Sequence, residues 1–259
     1  MLINHKSVLS LLLATLTLFT TQSYANKVYT IGVQNFKDYS PYSSVKNNQY
    51  QGFNRELLDM FASSQNFTFD YKTRPIKRLY SEFLKEKLDF KYPDNINWAP
   101  EKKQQAAIHY SDAVVQYIDG LIIRKENKNK TFSQLKKIGV MSGFTPDQRY
   151  LDAQQKGELE FIYVNNYERL FKLVNEQRID GAYFDIIISQ HHILHSASQK
   201  QHLVFNEKHP FRHGTRSLSS IKHPEMIEQF NLFLIEHATQ INALKLRYNI
   251  SERKVIASR

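Results

Sequence analysis

The sequence predicts an α/β protein of two lobes, each a mostly parallel sheet flanked by helices. Three observations predict it. Strand-like and helix-like segments alternate almost throughout, and the pattern restarts with different residues past the middle of the chain. Two extended stretches, near Val114–Gln116 and His209–Phe211, are placed to carry the chain between lobes. A β-α-β-α succession implies parallel strands covered by helices on both faces.

The elements follow in order. Tyr29, Ile31 and Val33 alternate as a first strand, followed by a loop rich in Tyr, Ser and Asn. Asn54 is a candidate cap for a helix whose Phe53, Leu57, Leu58 and Phe61 share one face. Phe67, Phe69 and Tyr71 alternate with polar residues, the period of a strand. Pro75 opens a helix with Ile76, Leu79, Tyr80, Phe83 and Leu84 on one stripe, and Leu88–Tyr92 is a short strand.

The second round uses Gly120–Ile123 and Ile138–Met141 as apolar strands. Thr145-Pro146-Asp147-Gln148 has the capping-box pattern of a helix start, with Thr145 as cap. Phe161–Val164 and Ile179–Phe184 are strands either side of a helix bearing Tyr167, Leu170, Phe171 and Val174. A late helix carries Ile227, Phe230, Phe233 and Leu234.

The N-terminus indicates export. Lys6 precedes an apolar run, Val8–Phe19, whose length of roughly 18 Å falls short of a bilayer's hydrocarbon layer. Ser23-Tyr24-Ala25 supplies small residues where a signal peptidase cuts, so residues 1–25 read as a signal peptide and Asn26 as the mature start. There are no cysteines, so stability in an oxidising compartment rests on apolar burial, for which 17 Phe and 15 Tyr are available. The net charge of +10 is spread along the chain among acidic residues, which argues against nucleic acid as a partner.

The order of several short motifs resembles the extracellular solute-binding proteins of family 3, the polar amino acid class. The matching pieces are Tyr39-Ser40-Pro41-Tyr42, Gly52-Phe53-Asn54, Lys85–Asp89, Ile108–Asp112, Lys137–Val140 with Gly143-Phe144-Thr145, Gln177–Asp185, and the closing Leu244–Tyr248. The resemblance implies a type II periplasmic-binding fold, with residues 26–115 plus 210–259 as lobe 1 and 116–209 as lobe 2. It implies a monomeric periplasmic protein that closes by a hinge on a small amino-acid-like or zwitterionic ligand and presents it to an ABC-type permease. A sensing partner at the membrane is the alternative, and a dehydratase-like enzyme a lesser one. The chain departs from the family where an Arg clamps the ligand's carboxylate: Tyr92–Lys103 holds no Arg, and Lys102 is the nearest cation.

Ligands of open α/β sheets sit beyond the carboxyl ends of strands, where helix N-termini point inward. That places Phe36, Tyr39 and Tyr42 after the first strand as candidate ligand-stacking walls. Tyr92, Asp94 and Trp98, the one tryptophan, follow a later strand of the same lobe. Arg74 and Arg78, with Lys77, lie at a strand end and the first helical turn, where cations oppose the helix dipole. An anionic ligand is one reason for them to be there. In lobe 2, Gly143 and Thr145 precede a helix, and Asp185 ends a strand. By the resemblance, Asp185 takes the ligand's ammonium; its plainer role is to cap the next helix.

No nucleophile elbow, phosphate loop or zinc-protease signature is present, so no catalytic residue and no cofactor is expected. His191, His192 and His195 cluster on a helix without an evident further ligand and read as surface histidines, not a metal site.

Overall fold

A computed structural model of the chain describes residues 27–195 and 202–250. The expected signal peptide lies outside the described residues. Among them no helix is long and apolar enough to cross a membrane.

The chain opens on β1 (Lys27–Gln34), a short meander of β2 (Asp38–Tyr39), β3 (Ser43–Lys46) and β4 (Gln49–Gln51), then α1 (Phe53–Ser64) and β5 (Phe67–Arg74). Helix α1 buries Phe53, Leu57, Leu58 and Phe61, the stripe its spacing predicts. Its cap is Gly52, with φ 104°, because Asn54 is buried and turns its amide to the Tyr50 hydroxyl. After α2 (Ile76–Leu84) comes β6 (Phe90–Asp94), and β5, β1 and β6 lie side by side and parallel.

A short α3 (Pro100–Lys103) and β7 (His109–Tyr110) lead into the long β8 (Val115–Arg124). The second parallel set is β9 (Lys137–Met141), β10 (Glu160–Val164) and β11 (Gly181–Asp185), separated by α4 (Gln148–Gln155) and α5 (Tyr167–Asn175) and followed by α6 (Ile186–His195). Then β12 (Leu203–Phe205), β13 (Arg212–Ser220), α7 (Pro224–Glu236) and α8 (Ala238–Arg247) complete the described chain. One device recurs in both halves. A Cβ added to Gly32 of β1 would sit 2.4 Å from Leu79 of α2, and one on Gly139 of β9 would sit 2.3 Å from Leu170 of α5. Each helix therefore seats a leucine directly against the backbone of a strand.

The two strand sets join through β8 and β13, giving the order β10-β9-β11-β8-β13-β6-β1-β5. β13 pairs antiparallel with β8 over Arg212–Arg216, then with β6 and β7 over Ser217–Ser220. β8 likewise leaves β13 at Asp119 and continues against β11. Two adjacent strands thus cross from one sheet to the other, close to where the sequence places its extended crossovers.

Candidate functional site

A cavity of about 30 Å³, space for roughly one water, lies where the strand ends of the two halves converge. Gln34, Tyr39, Ile76, Tyr80, Lys91 and Trp98 wall it from one side, and Asp119, Gly143, Phe144 and Thr145 from the other, with Arg216 of β13 between them. The halves touch directly around it. The Ala99 amide donates to Thr145 Oγ1 at 3.0 Å, and Trp98 Nε1 donates to the Tyr117 hydroxyl at 2.8 Å. Phe144 packs against Ile76, Tyr80 and Ala99. Thr145 consequently does not cap the following helix. Asp147 does, accepting the Arg149 amide at 3.0 Å, and Arg212 fixes the loop by donating to the carbonyls of Thr145 and Pro146 at 2.7 and 2.9 Å.

Arg216 dominates the site. It is 1% exposed, and its Nη2 donates to Asp185 Oδ2 at 2.6 Å. Its guanidinium carbon stands 4.0 Å from the Tyr42 ring centroid, 5.3 Å from Tyr39 and 5.6 Å from Tyr117, an aromatic box in which a cation is stabilised by ring quadrupoles. Nε and Nη1 have no hydrogen-bond partner among the described residues. The other Asp185 oxygen accepts the Ile188 amide at 3.0 Å, so this carboxylate both caps α6 and neutralises Arg216. Burial raises the Asp185 pKa, and the Arg216 charge opposes the rise.

A second buried charge cluster abuts the first. Lys91 and Lys103 both reach Asp94 Oδ1, at 2.9 and 2.8 Å, and Ser219 Oγ donates to Asp94 Oδ2 at 2.8 Å. Burial pushes Asp94 up, but the two ammonium groups outweigh it and hold the carboxyl below its usual range. Burial also pulls Lys91 down to about 8 against the pull of Asp94. Across the cavity, burial together with the nearby Asp185 charge lifts Asp119 to about 7. No hydrogen bond to the Asp119 carboxyl forms among the described residues; its strand neighbours are Asp185 on β11 and Arg212 on β13.

The residues singled out in the sequence divide accordingly. Tyr39, Trp98, Gly143 and Thr145 line the cavity, and Phe36 stacks on Tyr39 at 4.8 Å just behind it. Tyr42 lies beneath Arg216, and Asp185 is reached only through that arginine. Tyr92 is fully buried in the core, and Asp94 is taken up by its two lysines. Arg74 and Arg78 do not line the cavity. Glu82, one and two turns along α2, binds both, at 2.8 and 2.6 Å, and this carboxylate accounts for cations at a helix start. Lys102 is exposed, and its neighbour Lys103 turns inward instead. Among the described residues no three His, Asp or Glu side chains gather as a metal site.

Sequence reasoning missed Arg216, Lys91 and Asp119. Arg216 sits in a polar strand that does not mark it as inward, whereas Lys91 and Asp119 sit on strands whose apolar neighbours dominate the pattern, and a charged residue among those neighbours is the available signal. Lys91 and Asp119 both carry it, flanked by Phe90 and Tyr92 and by Ile118 and Gly120.

No family model matches the chain. A curated relative, "ABC transporter arginine-binding protein 1" of Escherichia coli (strain K12), is 26% identical over 189 residues, covering 71% of this chain and 72% of that protein. Among solved structures, an ancestral arginine-binding protein bound to arginine superposes with a TM-score of 0.70 at 16% identity, covering 86% of this chain and 98% of that one. An arginine transport periplasmic binding protein from Legionella pneumophila gives 0.70 at 16%, covering 86% and 100%. An ancestral amino-acid-binding protein described as a precursor of cyclohexadienyl dehydratase gives 0.64 at 20%, covering 85% and 95%. The fold is that of the two-lobed periplasmic-binding proteins, and in sequence the chain is similar to an arginine-binding protein of an ABC transporter.

Proposed function

We propose that the protein captures a small polar solute between two lobes in the periplasm and presents it to the permease of an ABC-type transporter. The observation that carries this reading is the cavity itself. It is walled by both halves of the chain and surrounded by buried charges, Arg216, Lys91 and Asp119, that a purely structural interior would replace with apolar side chains. At about 30 Å³ the cavity is closed down around the space of a water, so a solute enters only when the halves part. Residues 26–115 with 210–259 form one lobe and 116–209 the other, and they swing about the paired crossover strands β8 and β13. Residues 1–25 direct export and are removed, and the mature chain acts as a monomer. It binds its solute and does not turn it over.

Calorimetry and thermal melts of the purified protein against amino acids and small carboxylates test this. A ligand at a hundredfold excess over its Kd stabilises the protein by about 2.7 kcal/mol, and the expected stoichiometry is one to one. A complete absence of binding across both classes, or chemical conversion of the ligand that binds, refutes the reading.

A further inference from the structure

Three of the relatives named above are arginine-binding, yet here the chain supplies a guanidinium of its own. Arg216, from the crossover strand β13, fills the aromatic box of Tyr39, Tyr42 and Tyr117 and pairs with Asp185 at 2.6 Å. We infer that the solute is an organic carboxylate without an amino group, held by the free guanidinium nitrogens of Arg216 and by Lys91. The inference rests on the proposed solute capture and names the class of solute.

Three features of the site carry it. First, the Asp185 carboxylate is fully buried behind the cavity lining, with one oxygen accepting the Ile188 amide and the other holding Arg216, so it is not presented to a ligand's ammonium. Second, donors are in excess on the cavity wall. Arg216 keeps Nε and Nη1 unpartnered although it is 1% exposed. Lys91, also 1% exposed, directs its ammonium at Asp94 Oδ1 and the Pro93 carbonyl, both at 2.9 Å, which leaves one of its three protons. Buried donors without acceptors are costly, and a carboxylate is the guest that completes them.

Third, the charges do not cancel. Arg216 balances Asp185, but Lys91 and Lys103 share the single Asp94. Asp119, the one further carboxyl on the wall among the described residues, is held partly protonated near neutrality by its burial and so offsets that surplus only in part, while its protonated form can itself donate to a carboxylate. A zwitterion would add its own cation to this enclosure. An anion removes the surplus.

The test is calorimetric titration of the full-length protein, dialysed free of solutes. Acetate, propionate, pyruvate and succinate are compared with glycine, alanine and aspartate. At least one amine-free acid is expected to bind about tenfold or more tightly than its amino counterpart, and Arg216→Lys, which keeps the charge but loses the planar fork, should weaken that binding at least about tenfold. The double variant Arg216→Met with Asp185→Asn removes both partners of the ion pair, so its fold can be checked by melting, and it should lose carboxylate binding altogether. Tighter binding of the amino acids, or carboxylate binding unchanged in both variants, overturns the inference while leaving solute capture intact. Binding of neither class overturns both.

Discussion

Trp98 Nε1 donates a 2.8 Å hydrogen bond to the hydroxyl of Tyr117, their ring centroids 5.6 Å apart, and this contact ties the loop after β6 to the crossover strand β8. Trp98 is half-buried on the cavity wall and is the one tryptophan of the chain, so its fluorescence reports on the site alone. A ligand that fills the cavity should change the emission in a saturable way, with the same Kd as calorimetry. Tyr117→Phe should weaken the closed form by about 1 kcal/mol, the net value of one hydrogen bond. Emission that stays constant while calorimetry registers binding would place the ligand elsewhere.

Gly143 allows the halves to approach. Its φ of 90° disfavours any side chain, and a Cβ there would stand 2.8 Å from Ile76 on the opposite wall. Gly143→Ala therefore carries backbone strain of about 1–2 kcal/mol and, in addition, a clash that exists only when the cleft is shut. The expected signature is a ligand affinity reduced by more than the melting temperature suggests. Equal affinity in the variant would mean that the halves need not come this close.

Much of this architecture is legible in the sequence, and the reasons are physical. The stripes Leu57–Phe61, Leu79–Phe83 and Leu170–Val174 each supply buried residues, because a helix against a sheet can hide only one face, and spacing alone tells which. Tyr39, Trp98, Gly143 and Thr145 can be picked out because a parallel sheet presents its ligands at strand ends. Charges are harder to read. Arg74 and Arg78 stand out as unexplained cations only until Glu82, later on the same helix, is seen to hold them, whereas Arg216 sits in a serine- and arginine-bearing strand that local spacing does not mark as inward. Which charge meets which partner depends on the crossing of β8 and β13, a long-range relation that local periodicity does not encode.

The Arg216–Asp185 pair predicts a non-additive mutant cycle. Arg216→Met alone leaves a buried carboxylate without its cation and should destabilise the fold by about 3–5 kcal/mol. Adding Asp185→Asn removes the uncompensated charge, so the double variant should melt above the single one, although Asp185 also caps α6 through the Ile188 amide and part of the loss remains. Additive losses in urea unfolding would show that the two side chains are not coupled.

Asp119 predicts how stability depends on pH. Its carboxyl, ordinarily near 3.8, is lifted to about 7 by burial and by the adjacent Asp185. Between those two values the folded protein keeps a proton that the unfolded chain releases, so stability falls as pH rises through this window and the loss is complete above about 7. Every tenfold difference in proton affinity between fold and unfolded chain is worth about 1.4 kcal/mol. That effect is shared here with Asp185, whose carboxyl burial raises in the same direction. Asp119→Asn retains the shape without the titration. Its melting temperature relative to the unsubstituted protein should therefore rise steadily from pH 5 to about pH 7, a range that stops short of the opposite slope expected from Lys91, held near 8. Parallel melting curves for the two proteins across that range would show that Asp119 is already ionised in the fold, and the positive surplus around Arg216 would then be smaller than its neighbours imply.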